Sequence, residues 1–228
     1  MDKAATFVVG ITLCALIVLA FLYGLYFSNE SQTTFVFPTV KKDVVSLAEK
    51  SYIPVIVEPT KESTSDTKVG SATQIGPNLA IICFHAFEEG SVTTSRGEKI
   101  DDRIVKISTA DDIVFFWTEP QAVPEIPIAK SVEIGEVLVS VSNAGGYDGI
   151  MRYYWAAKIT DTTLIVGHFG TPTIKGESGS AIFNIRGEIV GQLKSYDQRT
   201  GYGIATSFHR IRALKEEIFL AKLAKAAS

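Results

Sequence analysis

The chain has 228 residues, of which 46% are hydrophobic and 21% charged, as in a globular protein of one ordinary domain or two small ones. Its formal net charge is −3 and no segment is dominated by lysine and arginine, which argues against a nucleic-acid-binding protein. The two cysteines, Cys14 and Cys83, stand in different settings, and no cluster of cysteine and histidine offers a zinc site. We therefore expect an ordinary hydrophobic core without a metal, a cofactor or an intramolecular disulfide.

The first element is an apolar run at residues 5–27 that contains no charged side chain. As a helix it would extend about 34 Å, enough to cross a bilayer. The apolar centre of a cleaved signal peptide is shorter, and two tyrosines near the far end of the run suit a membrane interface. We predict a membrane anchor at residues 1–28 and a single-pass membrane protein. Lysines on both sides of the run balance one another, so the side of the membrane that carries the rest of the chain stays open.

A tether follows at residues 29–67. Its part at residues 61–67 is rich in serine, threonine and charged residues, has no apolar period and predicts a flexible loop. Residues 44–50 predict a short helix, and residues 52–57 alternate as a first strand. Pro54 within that run favours a position at the edge of a sheet.

The folded domain is assigned to residues 68–228, where short apolar runs alternate with polar turns. We predict strands at residues 70–75, 79–84, 91–94, 102–108, 113–117, 137–142, 151–159, 163–168, 181–184, 189–194 and 203–207. Strands that do not alternate with helices predict an all-β sandwich or barrel. At the end, apolar residues recur at helical spacing and predict an amphipathic helix packed onto the barrel.

The stretch most suited to chemistry is Lys-Gly-Glu-Ser-Gly-Ser-Ala-Ile-Phe at residues 175–183. Glycines around Ser178 allow backbone conformations with positive φ and a close approach of substrate. Such a turn can aim the N–H groups of Gly176 and Ser178 at one point where an oxyanion forms. A plain Gly-Ser turn between two strands is the alternative, and the choice depends on a histidine and an aspartate upstream.

His85 follows a continuous apolar run, and Asp112 begins another. Taken alone, a histidine among apolar residues is more often structural than catalytic. An aspartate at a strand start is more often solvated, and Asp111 competes for the same role. A serine nucleophile needs a base to take its proton and an acid to orient that base. Histidine, aspartate and serine in this order, each at a strand end or a turn, together favour a catalytic set.

These stretches together resemble a trypsin-like (chymotrypsin-fold) serine peptidase, closest in style to the HtrA-type proteases and the glutamyl endopeptidases. The matching stretches lie at residues 70–85, 112–116, 176–180, 187–191 and 201–205. The resemblance covers the chain from about residue 52 to the C-terminal helix. It implies two six-stranded antiparallel β-barrels with a C-terminal α-helix, here preceded by the predicted transmembrane helix and without a PDZ domain.

The resemblance also implies the roles of individual residues. His85 would be the general base, Asp112 would orient it, and Ser178 would be the nucleophile. The N–H groups of Gly176 and Ser178 would form the oxyanion hole. The substrate is then a polypeptide.

Substrate-binding positions follow in the same way. Lys194 falls on the strand that pairs with the substrate backbone, while Gly203 and Ala205 would leave the specificity pocket open. Pro172 and Thr173 stand where a trypsin-type pocket has an acidic residue, so cleavage after lysine or arginine is not indicated.

Other residues depart from the family pattern. Phe84 and Phe87 are bulky and would crowd the groove beside the histidine. We interpret His168 as structural and His209 as a surface residue.

The leading hypothesis is an active, membrane-tethered serine endopeptidase that acts through an acyl-enzyme. A catalytically inactive barrel that serves as a binding or scaffold module is an alternative from another class, and a viral-type processing protease is a third. The sequence leaves the cleavage specificity and the oligomeric state open.

Overall fold

A computed structural model describes residues 39–59 and 66–226. In this part of the chain the helices are α1 (Lys42–Ser51), α2 (His85–Glu89) and α3 (Phe208–Ala226), with a 3₁₀ turn at Asp101–Arg103. The strands are β1 (Tyr52–Pro59), β2 (Lys68–Gly76), β3 (Leu79–Ile82), β4 (Gly90–Thr94), β5 (Ile104–Ser108), β6 (Ile113–Trp117), β7 (Val137–Ala144), β8 (Tyr147–Ile159), β9 (Thr163–His168), β10 (Ala181–Asn184), β11 (Ile189–Tyr196) and β12 (Gly203–Ser207). The predicted all-β class with a C-terminal helix is confirmed.

The first six strands form one antiparallel sheet in the order β4-β1-β2-β3-β6-β5. Alternate residues of β1, namely Ile53, Val55 and Val57, are buried because successive side chains of a strand point to opposite faces. They pack with Ile82 and Phe116 in an apolar cluster that belongs to this sheet. Within the described residues no strand pairing joins β4 to β5, so this sheet is barrel-like without a closing ladder.

The last six strands form a closed antiparallel barrel in the order β10-β11-β12-β9-β8-β7. It closes where β10 pairs with β7, with Phe183 opposite Val139. Its interior holds buried side chains from several strands, among them Leu138, Tyr154 and Ile182. The prediction of two six-stranded antiparallel barrels is thus confirmed in part: both sheets have six antiparallel strands, and among the described residues the second one closes by strand pairing.

A further apolar cluster lies between the two sheets and joins them to the helices. Phe115 of β6 and Phe183 of β10 belong to this cluster. Helix α1 adds Val44, and helix α3 adds Ile211 and Leu214, on one face at helical spacing. The two sheets are therefore packed against each other.

Two local predictions were wrong. Strand β3 ends at Ile82, and His85 is the first residue of the short helix α2 instead of the residue that ends a strand. Strand β1, which lies in the segment that we assigned to a tether, is not an edge strand, since it pairs with both β2 and β4. Pro54 is tolerated because pairing with β4 begins only at Val55, so the missing N–H of proline is not needed there.

The predicted single-pass membrane location has to be corrected. Among residues 39–59 and 66–226, no helix combines the length and the apolar character needed to cross a bilayer. The apolar run at residues 5–27, on which the prediction depended, lies outside the described residues, as does most of the predicted loop at residues 61–67.

Candidate active site

A cleft of about 610 Å³ lies at the junction of the two sheets. The first sheet and helix α2 contribute Ser71 and His85 to its lining, and the second barrel contributes Gly176, Ser178 and Lys194. The cleft thus contains the predicted base and, from a distant part of the sequence, the predicted nucleophile with both predicted oxyanion residues.

Two hydrogen bonds tie Asp112 to His85. One carboxylate oxygen accepts the backbone N–H of His85 at 2.8 Å, and the other lies 2.7 Å from Nδ1 of the ring. This bonding raises the pKa of His85 above its usual value, while partial burial acts in the opposite direction. With Nδ1 engaged by the carboxylate, the neutral ring keeps Nε2 free to accept a proton.

Asp111 has a different function from its neighbour. Its carboxylate is bound by the guanidinium of Arg210 on helix α3, at 3.0 and 2.7 Å, and it accepts a hydrogen bond of 2.6 Å from Ser108. The hydrogen bonds from Arg210 are the main reason that the pKa of Asp111 is lowered. Asp111 therefore binds helix α3 through Arg210, and of the two aspartates only Asp112 contacts His85.

The hydroxyl of Ser178 donates a hydrogen bond of 3.1 Å to the carbonyl oxygen of Lys194. Within the described residues no hydrogen bond joins this hydroxyl to the ring of His85. Catalytic hydrogen bonds are often long or misaligned in the absence of substrate and tighten when it binds. The hydroxyl must exchange the Lys194 carbonyl for the imidazole before it can transfer its proton.

We call the segment 176–179 the oxyanion turn. At two of its positions the backbone has a conformation that only glycine adopts readily. Gly176 and Gly179 both have φ of +93°. A Cβ at Gly179 would lie 1.8 Å from the carbonyl oxygen of Ser71, and one at Gly176 would lie 2.3 Å from that of Asn143. In the described part of the chain the N–H groups of Gly176 and Ser178 have no hydrogen-bond acceptor, so both remain available to an oxyanion.

Glu177, inside this turn, is fully buried and faces away from solvent into the second barrel. Its carboxylate lies 2.8 Å from Nε of Arg152, without the alignment of a hydrogen bond, and accepts a hydrogen bond of 3.2 Å from the hydroxyl of Tyr154. Burial raises the pKa of Glu177, and the charge of Arg152 opposes that effect. Arg152 also donates to the carbonyl oxygens of Thr171 and Pro172, at 2.8 and 2.7 Å.

The predicted substrate-binding residues separate into two groups. Lys194 lines the cleft, but Gly203 and Ala205 are buried within β12 and do not. A Cβ at Gly203 would lie 2.8 Å from side-chain atoms of Leu193 and Val166, so this glycine is required by packing inside the barrel. The cleft next to Lys194 is instead lined by Thr173, Ser195, Tyr196 and Gln198.

The bulky residues beside His85 do not crowd the cleft. Phe84 and Phe87 pack against the apolar cluster of the first sheet, and the cleft lining at this point is His85 with Ala86. His209 is exposed, as expected of a surface residue.

His168 is bonded to Thr173, one of the residues that line the cleft. It contacts the carbonyl oxygen of Gly201 and receives the N–H of Thr173 at 3.3 Å. Burial lowers the pKa of His168, which favours a neutral ring there. These contacts fit the structural role that we predicted.

Cys83, His85 and Asp112 bring possible metal-ligand atoms within 4.8 Å of one another. Nδ1 of the histidine and the carboxylate are already bonded to each other. The buried thiol donates to the carbonyl oxygen of Leu193 at 3.2 Å, and burial raises its pKa, which disfavours the thiolate that a metal requires. We assign no metal to this cluster.

Sequence reasoning missed the residues that hold the oxyanion turn in place. Arg152 and Tyr154 stand 25 and 23 positions before Glu177 in an ordinary strand, and nothing in their spacing indicates a contact with it. The one available signal was Glu177 itself, because an acidic residue inside a turn that becomes buried requires a partner.

Comparisons of the sequence found no protein-family model and no curated protein that match this chain. Solved structures with the same fold were found. A serine endoprotease of Yersinia pestis has 17% sequence identity and a TM-score of 0.64, over 79% of this chain and 67% of that one. The Rv3671c protease of M. tuberculosis, in its active form, has 13% identity and a TM-score of 0.65, over 77% of this chain and 83% of that one. The chain therefore has the two-barrel fold of the trypsin-like serine proteases.

Proposed function

We propose that this protein is a serine endopeptidase that cleaves polypeptides through His85, Asp112 and Ser178. The observation that carries the proposal is the pair of hydrogen bonds that the carboxylate of Asp112 accepts from His85, 2.8 and 2.7 Å long, beside a cleft that Ser178 also lines. The fold supports a protease, and the cleft spans both sheets, which suits an extended peptide.

The proposed chemistry begins with a proton transfer. Nε2 of His85 takes the hydroxyl proton of Ser178 as Oγ attacks the scissile carbonyl, and Asp112 stabilises the resulting imidazolium. The N–H groups of Gly176 and Ser178 bind the oxyanion. His85 then gives its proton to the leaving amine, an acyl-enzyme remains on Ser178, and water hydrolyses it with His85 again as base.

A catalytically inactive binding module is the second candidate. It is favoured by the hydrogen bond from Ser178 to the carbonyl of Lys194, which leaves the nucleophile without its base. The two candidates differ in one respect that can be measured: only the peptidase can bring the Ser178 hydroxyl and the His85 ring together.

Labelling with an alkyl fluorophosphonate, which phosphonylates an activated serine, distinguishes the peptidase from the inactive binding module. We expect the wild-type protein to be labelled, and Ser178→Ala and His85→Ala to remain unlabelled. A folded wild-type protein that forms no Ser178-dependent adduct between pH 6 and 9 would overturn the peptidase in favour of the binding module.

A further inference from the structure

We propose that Ser71 is a positioning residue, whose side-chain hydroxyl holds the oxyanion turn in its active shape. The inference rests on the proposed peptidase function and adds a residue to its machinery. Ser71 belongs to β2 of the first sheet, whereas the oxyanion turn belongs to the second barrel. The two lie 105 positions apart in the sequence.

Ser71 is fully buried, and both its side chain and its backbone bind the turn. Its hydroxyl donates a hydrogen bond of 2.8 Å to the carbonyl oxygen of Gly176. Its backbone N–H donates one of 3.2 Å to the carbonyl oxygen of Ser178. The residue thus holds the turn at two points, one on each side of Glu177.

The direction of the hydroxyl proton is set by a third bond. The backbone N–H of Asn143 in β7 donates to the same hydroxyl oxygen at 2.9 Å. Because a backbone N–H can only donate and a carbonyl oxygen can only accept, the hydroxyl accepts from Asn143 and donates its one proton to Gly176. One oxygen atom therefore joins β2, β7 and the oxyanion turn.

These bonds to carbonyl oxygens also set the directions of the N–H groups in the turn. The peptide bond is planar, so each N–H points away from the carbonyl oxygen of the preceding residue. The carbonyl of Lys175 accepts the N–H of Gly145 at 2.8 Å, which directs the N–H of Gly176 away from Gly145. The carbonyl of Glu177 accepts both donors of Ser180, at 3.2 and 2.7 Å, which directs the N–H of Ser178.

Between these two peptides lies the one formed by Gly176 and Glu177. Its carbonyl is held by the hydroxyl of Ser71. Because Gly176 has φ of +93° and no side chain, its peptides rotate more easily than those of other residues. Without the hydroxyl, the Gly176 carbonyl loses its partner, and this peptide is held only by the bond of 3.4 Å from the N–H of Glu177 to the carbonyl oxygen of Ile174. The turn between the two oxyanion N–H groups is then less constrained.

Thr73 provides a matched control. It lies two positions further along β2, is also buried, and its hydroxyl also reaches the second barrel, where it accepts the N–H of Ala181 at 2.8 Å. Ala181 lies beyond the oxyanion turn. Thr73→Val therefore removes a comparable bond between the sheets without touching the turn.

The test compares wild type, Ser71→Ala and Thr73→Val in the hydrolysis of p-nitrophenyl butyrate and in thermal unfolding. We expect both variants to lose similar stability. Only Ser71→Ala should lose kcat, by about ten- to a hundredfold as for a slightly misplaced catalytic group, with KM and the pH midpoint unchanged. Ser71→Gly, which also lacks the hydroxyl, replaces Ser71→Ala if the latter does not fold.

Hydrogen exchange of the peptide that contains residues 175–180 gives a readout that needs no activity. We expect faster exchange there in Ser71→Ala than in Thr73→Val. The inference is overturned if exchange in this peptide is the same in both variants, or if kcat falls equally in both. An inactive wild-type protein whose exchange still depends on Ser71 would contradict the proposed function and not the positioning role.

Discussion

Asp112 binds both the backbone and the ring of His85. Its carboxylate accepts the N–H of His85 at 2.8 Å, and its other oxygen lies 2.7 Å from Nδ1 of the ring. Asp112 is also the one non-glycine residue in the described chain with positive φ, at +54°. Such a conformation is uncommon outside glycine, and it is found at residues whose surroundings over-determine them. The residue that directly precedes strand β6 is thus placed for the histidine and not for the sheet.

Replacement of Asp112 by asparagine should abolish most of the activity. The amide keeps the size of the side chain but does not stabilise the imidazolium, and it can favour the wrong tautomer of His85. We expect kcat to fall by roughly 10⁴-fold, as in a serine protease triad. Hydrolysis of p-nitrophenyl butyrate measures this loss, and fluorophosphonate labelling of Ser178 should slow in the same variant.

Asp111→Asn is the matched control for that variant. It weakens the ion pair with Arg210 and should therefore lower the melting temperature through helix α3. Labelling of Ser178 should remain close to that of wild type. Equal labelling of Asp111→Asn and Asp112→Asn would show that the assignment of the acid is wrong.

The pH dependence of activity should report His85. Its pKa is raised by the bond to Asp112 above the reference value of 6.5, and the base must be neutral to accept a proton. We therefore expect kcat/KM to rise with pH through a midpoint above 6.5. A pH–rate profile measured for wild type checks this, and a midpoint below that value would contradict it.

His85 also affects the stability of the fold: its stabilising contribution falls as the pH rises, whereas activity increases. A histidine with a raised pKa in the folded state stabilises the protein fully below its unfolded pKa. That contribution is lost as the pH rises through the folded pKa, in the range where activity appears. Denaturant unfolding of wild type and His85→Ala across this range should show the difference between them shrinking as the pH rises.

Several strands were predicted with correct ends and others were not, for a physical reason. β6, β9, β10 and β12 lie between polar turns, so their apolar pattern begins and stops with the strand. β8 begins at Tyr147, four residues before the predicted start. Its first residues are exposed and are held by backbone pairing with β7, which carries no side-chain pattern.

Replacement of Arg152 by methionine should destabilise the protein strongly. Glu177 has no exposed side-chain surface and would lose its counter-charge, and breaking a buried pair in this way costs about 3–5 kcal/mol. The pKa of Glu177 would rise further, so the variant should become more stable as the pH is lowered and the carboxyl takes up a proton. Chemical denaturation at several pH values measures both effects.

The double variant Arg152→Met with Glu177→Gln tests whether the cost comes from the unpaired charge. We expect it to recover most of the stability, because no charge is then buried alone. If the double variant is as unstable as the single one, the ion pair is not the source of the loss.

Gly179→Ala should prevent the oxyanion turn from forming. A methyl group there meets the carbonyl oxygen of Ser71 at 1.8 Å, in addition to the strain of φ at +93°. Gly135→Ala has a similar φ of +86° and open space around the new methyl group, so it should cost only about 1–2 kcal/mol. Expression yield and thermal unfolding of the two variants measure the difference, and equal stability would contradict the close contact.

The candidate site was predictable where a residue acts through its own motif. His85, Asp112 and Ser178 stand in recognisable stretches of the sequence, and two of them, His85 and Ser178, line the cleft. Ser71 and Arg152 were not, because their function arises only from contacts across the fold. Gly203 and Ala205 were assigned to a pocket wall, whereas the structure places them inside the barrel, where small residues fit the packing.

The central claim is that Ser178 forms an acyl-enzyme, and trapping that intermediate tests it most directly. The protein is incubated with p-nitrophenyl acetate above the His85 midpoint and quenched with acid, and its intact mass and tryptic peptides are measured. We expect one acetyl group per chain, located on Ser178 and absent from Ser178→Ala and His85→Ala. A wild-type protein that carries no acetyl group, or one that carries it equally in Ser178→Ala, would contradict the account.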